Sequence, residues 1–167
     1  MSHQNRHDQK DTGPLRVSVI TVSDTRTVED DESGALAAEL LRGAGHDVFS
    51  HAIVRDERDM IAGAVRAALS AGASVVVTNG GTGIAPRDVT YEAVSALLEK
   101  TLDGFGEAFR RLSWDEIGPR SMLSRAVAGT LGRSLVVALP GSTKAVRLGV
   151  ERLVLPIARH AVGLLGG

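Results

Sequence analysis

Four short apolar runs rich in β-branched residues alternate with helical patterns, and this constrains the fold of the 167-residue chain more than any other feature. Residues 15–22, 48–54, 74–78 and 135–139 read as buried strands. Between them, residues 35–42 and 60–69 carry apolar side chains at helical spacing. Ser33 is the expected N-cap of the first helix, with Gly43 or Gly45 as its stop, and Gly72 closes the second. Residues 90–99 predict a third helix. Residues 101–131 hold no single period and predict one or two helices with irregular connections. Ser142 is placed to cap a long final helix that Pro156 should kink or break. Strands that alternate with helices imply parallel pairing, right-handed crossovers and helices on both faces of the sheet. With no internal repeat and no linker, one α/β domain over residues 14–167 follows a polar tail, residues 1–13, that is expected to be flexible.

Ligands of such sheets bind at the carboxyl ends of the strands. There the sequence places Ser23-Asp24, then Asp56, then Gly80-Gly81-Thr82-Gly83, then Pro140-Gly141-Ser142. Three glycines within four residues permit positive φ and let a ligand approach the main chain. The helix start just beyond offers unpaired N–H groups, so the loop reads as an anion site, most simply for phosphate. A tight turn without a ligand is the alternative. Pro86 stands where a dinucleotide fingerprint needs its third glycine, and neither this loop nor Gly141-Ser142-Thr143-Lys144 makes a Walker A motif.

Asp88 and Asp56 read either as N-caps of the helices that follow or as functional carboxylates. Residues 29–32 read as a solvated acidic loop, and Arg87 as an exposed arginine at a helix terminus, with offsetting of nearby charge as the alternative. The histidines lack His-Glu-x-x-His spacing, and His46, His51 and His160 read as isolated, on the surface or internally satisfied. Gly-x-Ser-x-Gly is absent, which removes support for a serine hydrolase elbow.

A net charge of −1 gives no basic field for nucleic acid or an anionic membrane surface. Five aromatic residues are too few for base-stacking platforms. The chain has no cysteine, which excludes disulfides and thiolate chemistry and fits a reducing compartment. No apolar run approaches the ~20 residues of a membrane span. Residues 1–13 lack the apolar core of a signal peptide, and a cytoplasmic location is expected.

Taken together, Gly80-Gly81-Thr82-Gly83, Asp88-Val89-Thr90 and Leu139-Pro140-Gly141-Ser142 resemble the MoaB/MogA family of molybdenum cofactor biosynthesis proteins. The resemblance extends to Val22-Ser23-Asp24, Asp31-Glu32-Ser33-Gly34 and Gly104-Phe105-Gly106-Glu107. Ser124-Arg125-Ala126 and Pro140-Gly141-Ser142-Thr143-Lys144-Ala145 are most similar to the MoaB branch. The resemblance implies a three-layer α/β/α domain with a mostly parallel central sheet that binds molybdopterin. In active members the terminal phosphate of molybdopterin attacks the α-phosphorus of ATP with Mg2+ assistance and releases pyrophosphate. It further implies a substrate pocket of Ser23, Asp24, Gly80, Gly81, Thr82, Gly83, Pro140, Gly141 and Ser142.

The family's two functional aspartates fall on Asp56 and Asp88. Since the attacking phosphate monoester has a second pKa near ~6, no strong base is needed, and these two are expected as Mg2+ ligands at the catalytic centre. Ser142-Thr143 replaces the second proline of many adenylylating members, so a non-catalytic molybdopterin carrier or scaffold is the alternative. A homo-oligomer, hexamer or trimer, and a downstream molybdate-insertion protein are the expected partners. Residues 104–131 are expected to form an interface more than core.

Overall fold

The three most continuous apolar runs become the three central strands, β1 (Arg16–Val22), β3 (Val75–Asn79) and β6 (Ser134–Leu139). A computed structural model describes residues 13–166; positions 1–12 of the expected tail lie outside the described residues. With β2 (Asp47–Val54), β4 (Lys100–Thr101) and β5 (Val127–Leu131), these strands form a six-stranded sheet of order β2-β1-β3-β6-β5-β4. The pairs β1–β2, β1–β3 and β3–β6 are parallel, whereas β4 and β5 add an antiparallel edge. Every residue of β3 and β6 is buried, as strands covered on both faces require.

Alternate side chains of each strand feed two cores. On one face Val17, Val19, Val77, Leu135 and Val137 meet α1 (Glu32–Gly43), α4 (Asp103–Ile117), α5 (Thr143–Gly149) and α6 (Leu155–Gly166). On the other, Ile20, Val76 and Val136 meet α2 (Arg58–Ser70) and α3 (Thr90–Ser95). Helix α2 buries Ile61, Val65 and Ala68, a stripe at spacings of four and three. The result is the expected three-layer α/β/α arrangement around a mostly parallel sheet.

The structure departs from expectation at several points. Helix α3 stops at Ser95, and the chain continues into the short strand β4. Residues 101–131 hold α4, a 3-10 segment (Gly118–Leu123) and β5. They divide between core and surface. Phe105 and Phe109 are 6% and 1% exposed, whereas Trp114, Ile117, Met122 and Leu123 face outward. Ser33 is not the cap of α1: Asp31 takes that place and its side chain accepts from the Gly34 N–H at 3.0 Å. Pro156 does not break the final helix. A π-helical turn, Val150–Val154, lies directly before it, and the Leu155 N–H bonds to the Val150 carbonyl. The wider turn absorbs the missing donor and the bulk of the proline ring.

His46 is buried, and its Nδ1 accepts from the Leu15 N–H at 3.1 Å, which requires an unprotonated Nδ1. Burial pushes its pKa below the ordinary 6.5, and the Arg159 charge acts in the same direction. The folded protein therefore binds this proton less readily than the unfolded chain does. The contribution is intact above pH 6.5 and is lost as pH falls from there through the lowered folded value. The melting temperature is expected to drop between about pH 7 and pH 5. His46→Gln, which retains an acceptor, should flatten that part of the profile. An unchanged slope in thermal melts across the range would contradict this.

Candidate functional site

Parallel register brings four strand ends to one edge: Val22 pairs with Val54, Thr21 with Asn79, and Asn79 with Leu139. Ser23-Asp24, Asp56, the glycine loop and Pro140-Gly141-Ser142 therefore surround one place. The last two touch, since a Cβ on Gly141 would stand 3.1 Å from the Gly80 Cα.

The loop after β3 needs its glycines. Gly80 and Gly81 have φ of 101° and 71°, a region that side chains disfavour. A Cβ on Gly80 would overlap the Val22 carbonyl oxygen, and one on Gly81 the Thr90 hydroxyl. The Gly81 carbonyl accepts from the Thr90 N–H at 3.0 Å, and the Thr82 carbonyl from the Arg125 N–H at 3.0 Å. Among the described residues, the N–H groups of Gly81, Thr82, Gly83 and Ile84 find no acceptor. The buried Thr90 hydroxyl beside Gly81 is likewise unpartnered. Successive free N–H groups next to an orphaned hydroxyl form a concavity suited to an anion.

Carboxylates flank that concavity. An Asp56 oxygen lies 3.0 Å from where a Gly81 Cβ would stand, and an Asp88 oxygen lies 2.7 Å from the same point on Gly83. Neither aspartate is an N-cap: Glu57 and Val89 hold those positions, without side-chain caps. Asp88 instead closes the loop, accepting from the Ala85 N–H at 2.9 Å. Burial, then the charges of Asp24 and Asp88, raise the Asp56 pKa above the ordinary carboxylate range. Asp24 is neutralised by Arg87, whose Nε and Nη2 reach one carboxylate oxygen at 2.9 and 2.7 Å. This hydrogen-bonded pair lowers the Asp24 pKa, and the Asp56 N–H also donates to Asp24 at 3.1 Å. Arg87 is thus a partner within the site rather than a free terminal arginine.

Asp56 and Asp88 have no cation within ion-pair distance among the described residues. Nor do the described residues contain a group of three or more acidic or histidine side chains able to hold a metal ion. Two unpaired hard-oxygen carboxylates beside an anion cradle nevertheless suit Mg2+, which commonly takes one or two carboxylates and completes its shell with phosphate oxygens and water.

The two serines of the expected pocket act first as local caps. Ser23 Oγ accepts from the N–H groups of Thr25 and Arg26 at 3.2 and 3.0 Å, and Ser142 Oγ caps α5 through the Ala145 N–H at 3.1 Å. Both hydroxyl protons stay available.

Beneath the edge lies a polar network that the sequence reading missed. Residues 29–32 are not uniformly solvated: the Asp31 side chain is fully buried. It accepts from the Thr21 hydroxyl at 2.6 Å and lies 2.8 Å from His51 Nε2, so His51 is not isolated. Burial opposes ionisation of Asp31, but the bonds from Thr21, the Gly34 N–H and His51 outweigh it and hold its pKa below the ordinary range. Ser33 donates to Asn79 Oδ1 at 2.8 Å and accepts from Arg26, whose Nη2 reaches the Gly141 carbonyl at 3.1 Å. The network ties β1, β2, β3 and α1 to the Pro140-Gly141-Ser142 turn. Its signal in the sequence was Gly34 within a helix start: a Cβ there would overlap Asp31, Thr21 and His51.

Fold and site together define a three-layer α/β domain with free backbone N–H groups and two carboxylates gathered at the carboxyl edge of its parallel strands. A sequence profile described as "Probable molybdopterin binding domain" matches residues 18–160. "Molybdenum cofactor biosynthesis protein B" of Bacillus cereus is 51% identical over 156 residues, covering 92% of each chain. A crystal structure of a protein of that name superimposes with a TM-score of 0.89 at 52% identity, covering 92% of this chain and 96% of the other. A solved MogA chain aligns with a TM-score of 0.83 at 32% identity, covering 90% and 99%. The chain belongs to the MoaB/MogA family, and the higher identities lie on the MoaB side.

Proposed function

We propose that the protein works in molybdenum cofactor biosynthesis by binding molybdopterin and adenylylating it with ATP. The observation that carries this reading is the run of free N–H groups from Gly81 to Ile84 between the unpaired carboxylates of Asp56 and Asp88. Backbone donors hold a phosphate without adding charge of their own. The terminal phosphate of molybdopterin is already largely ionised near neutral pH. One of its oxygens forms a bond to the α-phosphorus of ATP as the bond to the pyrophosphate leaving group breaks. The chain's task is to align two polyanions and steady the charge of the pentacoordinate state.

Asp56 and Asp88 are the residues that would hold Mg2+, which supplies charge neutralisation between the two phosphate groups. Asp24, already paired with Arg87, fixes the Asp56 backbone. Ser23, Thr82, Pro140, Gly141 and Ser142 line the same edge and complete the substrate pocket. The test is product analysis: molybdopterin, ATP and Mg2+ should yield adenylylated molybdopterin; bound molybdopterin with no such product would overturn the enzymatic reading, and failure of molybdopterin to bind at all would overturn the carrier reading with it.

One observation favours a carrier that binds without turnover. Ser142-Thr143 stands where many adenylylating members carry a second proline, and Ser142 is used as the cap of α5. A downstream molybdate-insertion protein would receive the product or the carried ligand. Among the described residues no helix is long and apolar enough to cross a membrane, and a cytoplasmic site of action is part of this proposal.

Trp114, Ile117, Met122 and Leu123, each 47 to 66% exposed, place apolar surface at the end of α4 and on the following 3-10 segment. Such grouping marks an interaction surface. A trimer or hexamer is expected, with the hexamer favoured, and light scattering that returned a monomer or dimer at micromolar concentration would contradict it.

A further inference from the structure

We infer that Arg125 is the positioning residue that keeps the phosphate-binding loop in its receptive form, an inference that rests on the anion-binding reading of that loop. Arg125 lies 42 residues beyond Gly83, in the segment leading into β5, yet it holds three carbonyls of the loop. Its own N–H donates to the Thr82 carbonyl at 3.0 Å. Its Nε donates to the Gly83 carbonyl at 3.0 Å and its Nη2 to the Asp88 carbonyl at 3.0 Å. The remaining guanidinium donors pair with both carboxylate oxygens of Glu92, and the guanidinium lies 5.1 Å from the centre of the Tyr91 ring. That pairing holds the Glu92 carboxyl below its ordinary pKa.

The consequence follows from peptide geometry. In a trans peptide the carbonyl of one residue and the N–H of the next point in opposite directions. No cis peptide is present among the described residues. Turning the Thr82 carbonyl toward Arg125 therefore turns the Gly83 N–H away from it. Turning the Gly83 carbonyl does the same for the Ile84 N–H. Thr90 acts likewise on the Gly81 carbonyl and so on the Thr82 N–H. The carbonyls that would repel a phosphate are held on the protein side, and the donors are left on the other. A glycine-rich loop without such anchors can flip its peptides, because glycine tolerates both signs of φ. Lysine could keep the charge but not the fork, since a planar guanidinium reaches several acceptors at fixed angles.

The test is a titration of 15N-labelled protein with inorganic phosphate, following the amide resonances of Thr82, Gly83 and Ile84. The wild type should shift these three, while amides of the Gly132-Arg133 turn at the other end of the sheet stay fixed. Arg125→Ala and Arg125→Lys should each weaken the phosphate response by about tenfold or more. Glu92→Gln, which keeps the shape of the anchor but not its charge, should weaken it less and in the same direction. It also keeps the test valid if Arg125→Ala does not fold. Arg125→Lys and Glu92→Gln titrating like the wild type would overturn the inference. A wild type whose loop amides ignore phosphate would overturn the anion-binding reading first and this inference with it. The two failures are therefore distinguishable.

Discussion

Asp88→Asn is expected to lower the rate of molybdopterin adenylylation by about a hundredfold or more while leaving molybdopterin binding and thermal stability close to wild type. The separation follows from what the side chain does. One of its oxygens accepts from the Ala85 N–H at 2.9 Å and closes the loop; an asparagine carbonyl can do the same. What the amide lacks is the negative charge assigned to Mg2+, which matters most when charge develops between the phosphates. Asp56→Asn should act in the same direction. Since Asp56 repels Asp24 and Asp88 in the folded state, its removal should not destabilise the protein at neutral pH. If both aspartates serve one metal, the double mutant should be no slower than the poorer single mutant. Wild-type rates in both single mutants would refute the assignment, and unfolding of Asp88→Asn would make its role structural.

Gly81→Val attacks the other half of the site and is expected to weaken ligand binding by well over tenfold, or ~1.4 kcal/mol. The φ of 71° at this position is strained for any β-branched residue, and the Cβ would overlap the Thr90 hydroxyl while crowding Asp56 at 3.0 Å. The local cost is on the order of 1–3 kcal/mol, which the sheet survives because β3 and β6 are covered on both faces. The loop itself does not keep its N–H array. Titration calorimetry with molybdopterin measures the loss, and unchanged affinity would mean that the glycines serve only a turn.

Legibility in the sequence tracks the range of the interactions involved. Strands β1, β3 and β6 were readable because each is a short, mostly apolar run containing β-branched residues and buried almost throughout. Once these pair in parallel, the location of the site at their carboxyl ends follows from topology alone. Strand β5 was not readable. Its five residues include Gly129, and it exists because the two-residue turn at Gly132-Arg133 folds it antiparallel onto β6.

The irregular sequence around Phe105 and Phe109 points to an interface. Their four-residue spacing on α4 in fact turns both into the core. The placing of the candidate residues on the strand-end loops was legible from topology, although glycine and aspartate there read also as a turn and as N-caps. Their supports were not. Asp31 stands among acidic neighbours that are solvated, and only the fold brings Thr21, His51 and Arg26 to it. Arg125 sits in a string whose only signal is its resemblance to the MoaB branch, because nothing local shows that it reaches back 42 residues to Gly83.

The most direct measurement is pyrophosphate release by the wild-type protein in the presence of molybdopterin, ATP and Mg2+. Release should need all three components, keep step with the amount of adenylylated molybdopterin formed, and fall sharply in Asp88→Asn. Saturable molybdopterin binding with no pyrophosphate at any Mg2+ concentration would contradict the enzymatic reading and leave a carrier.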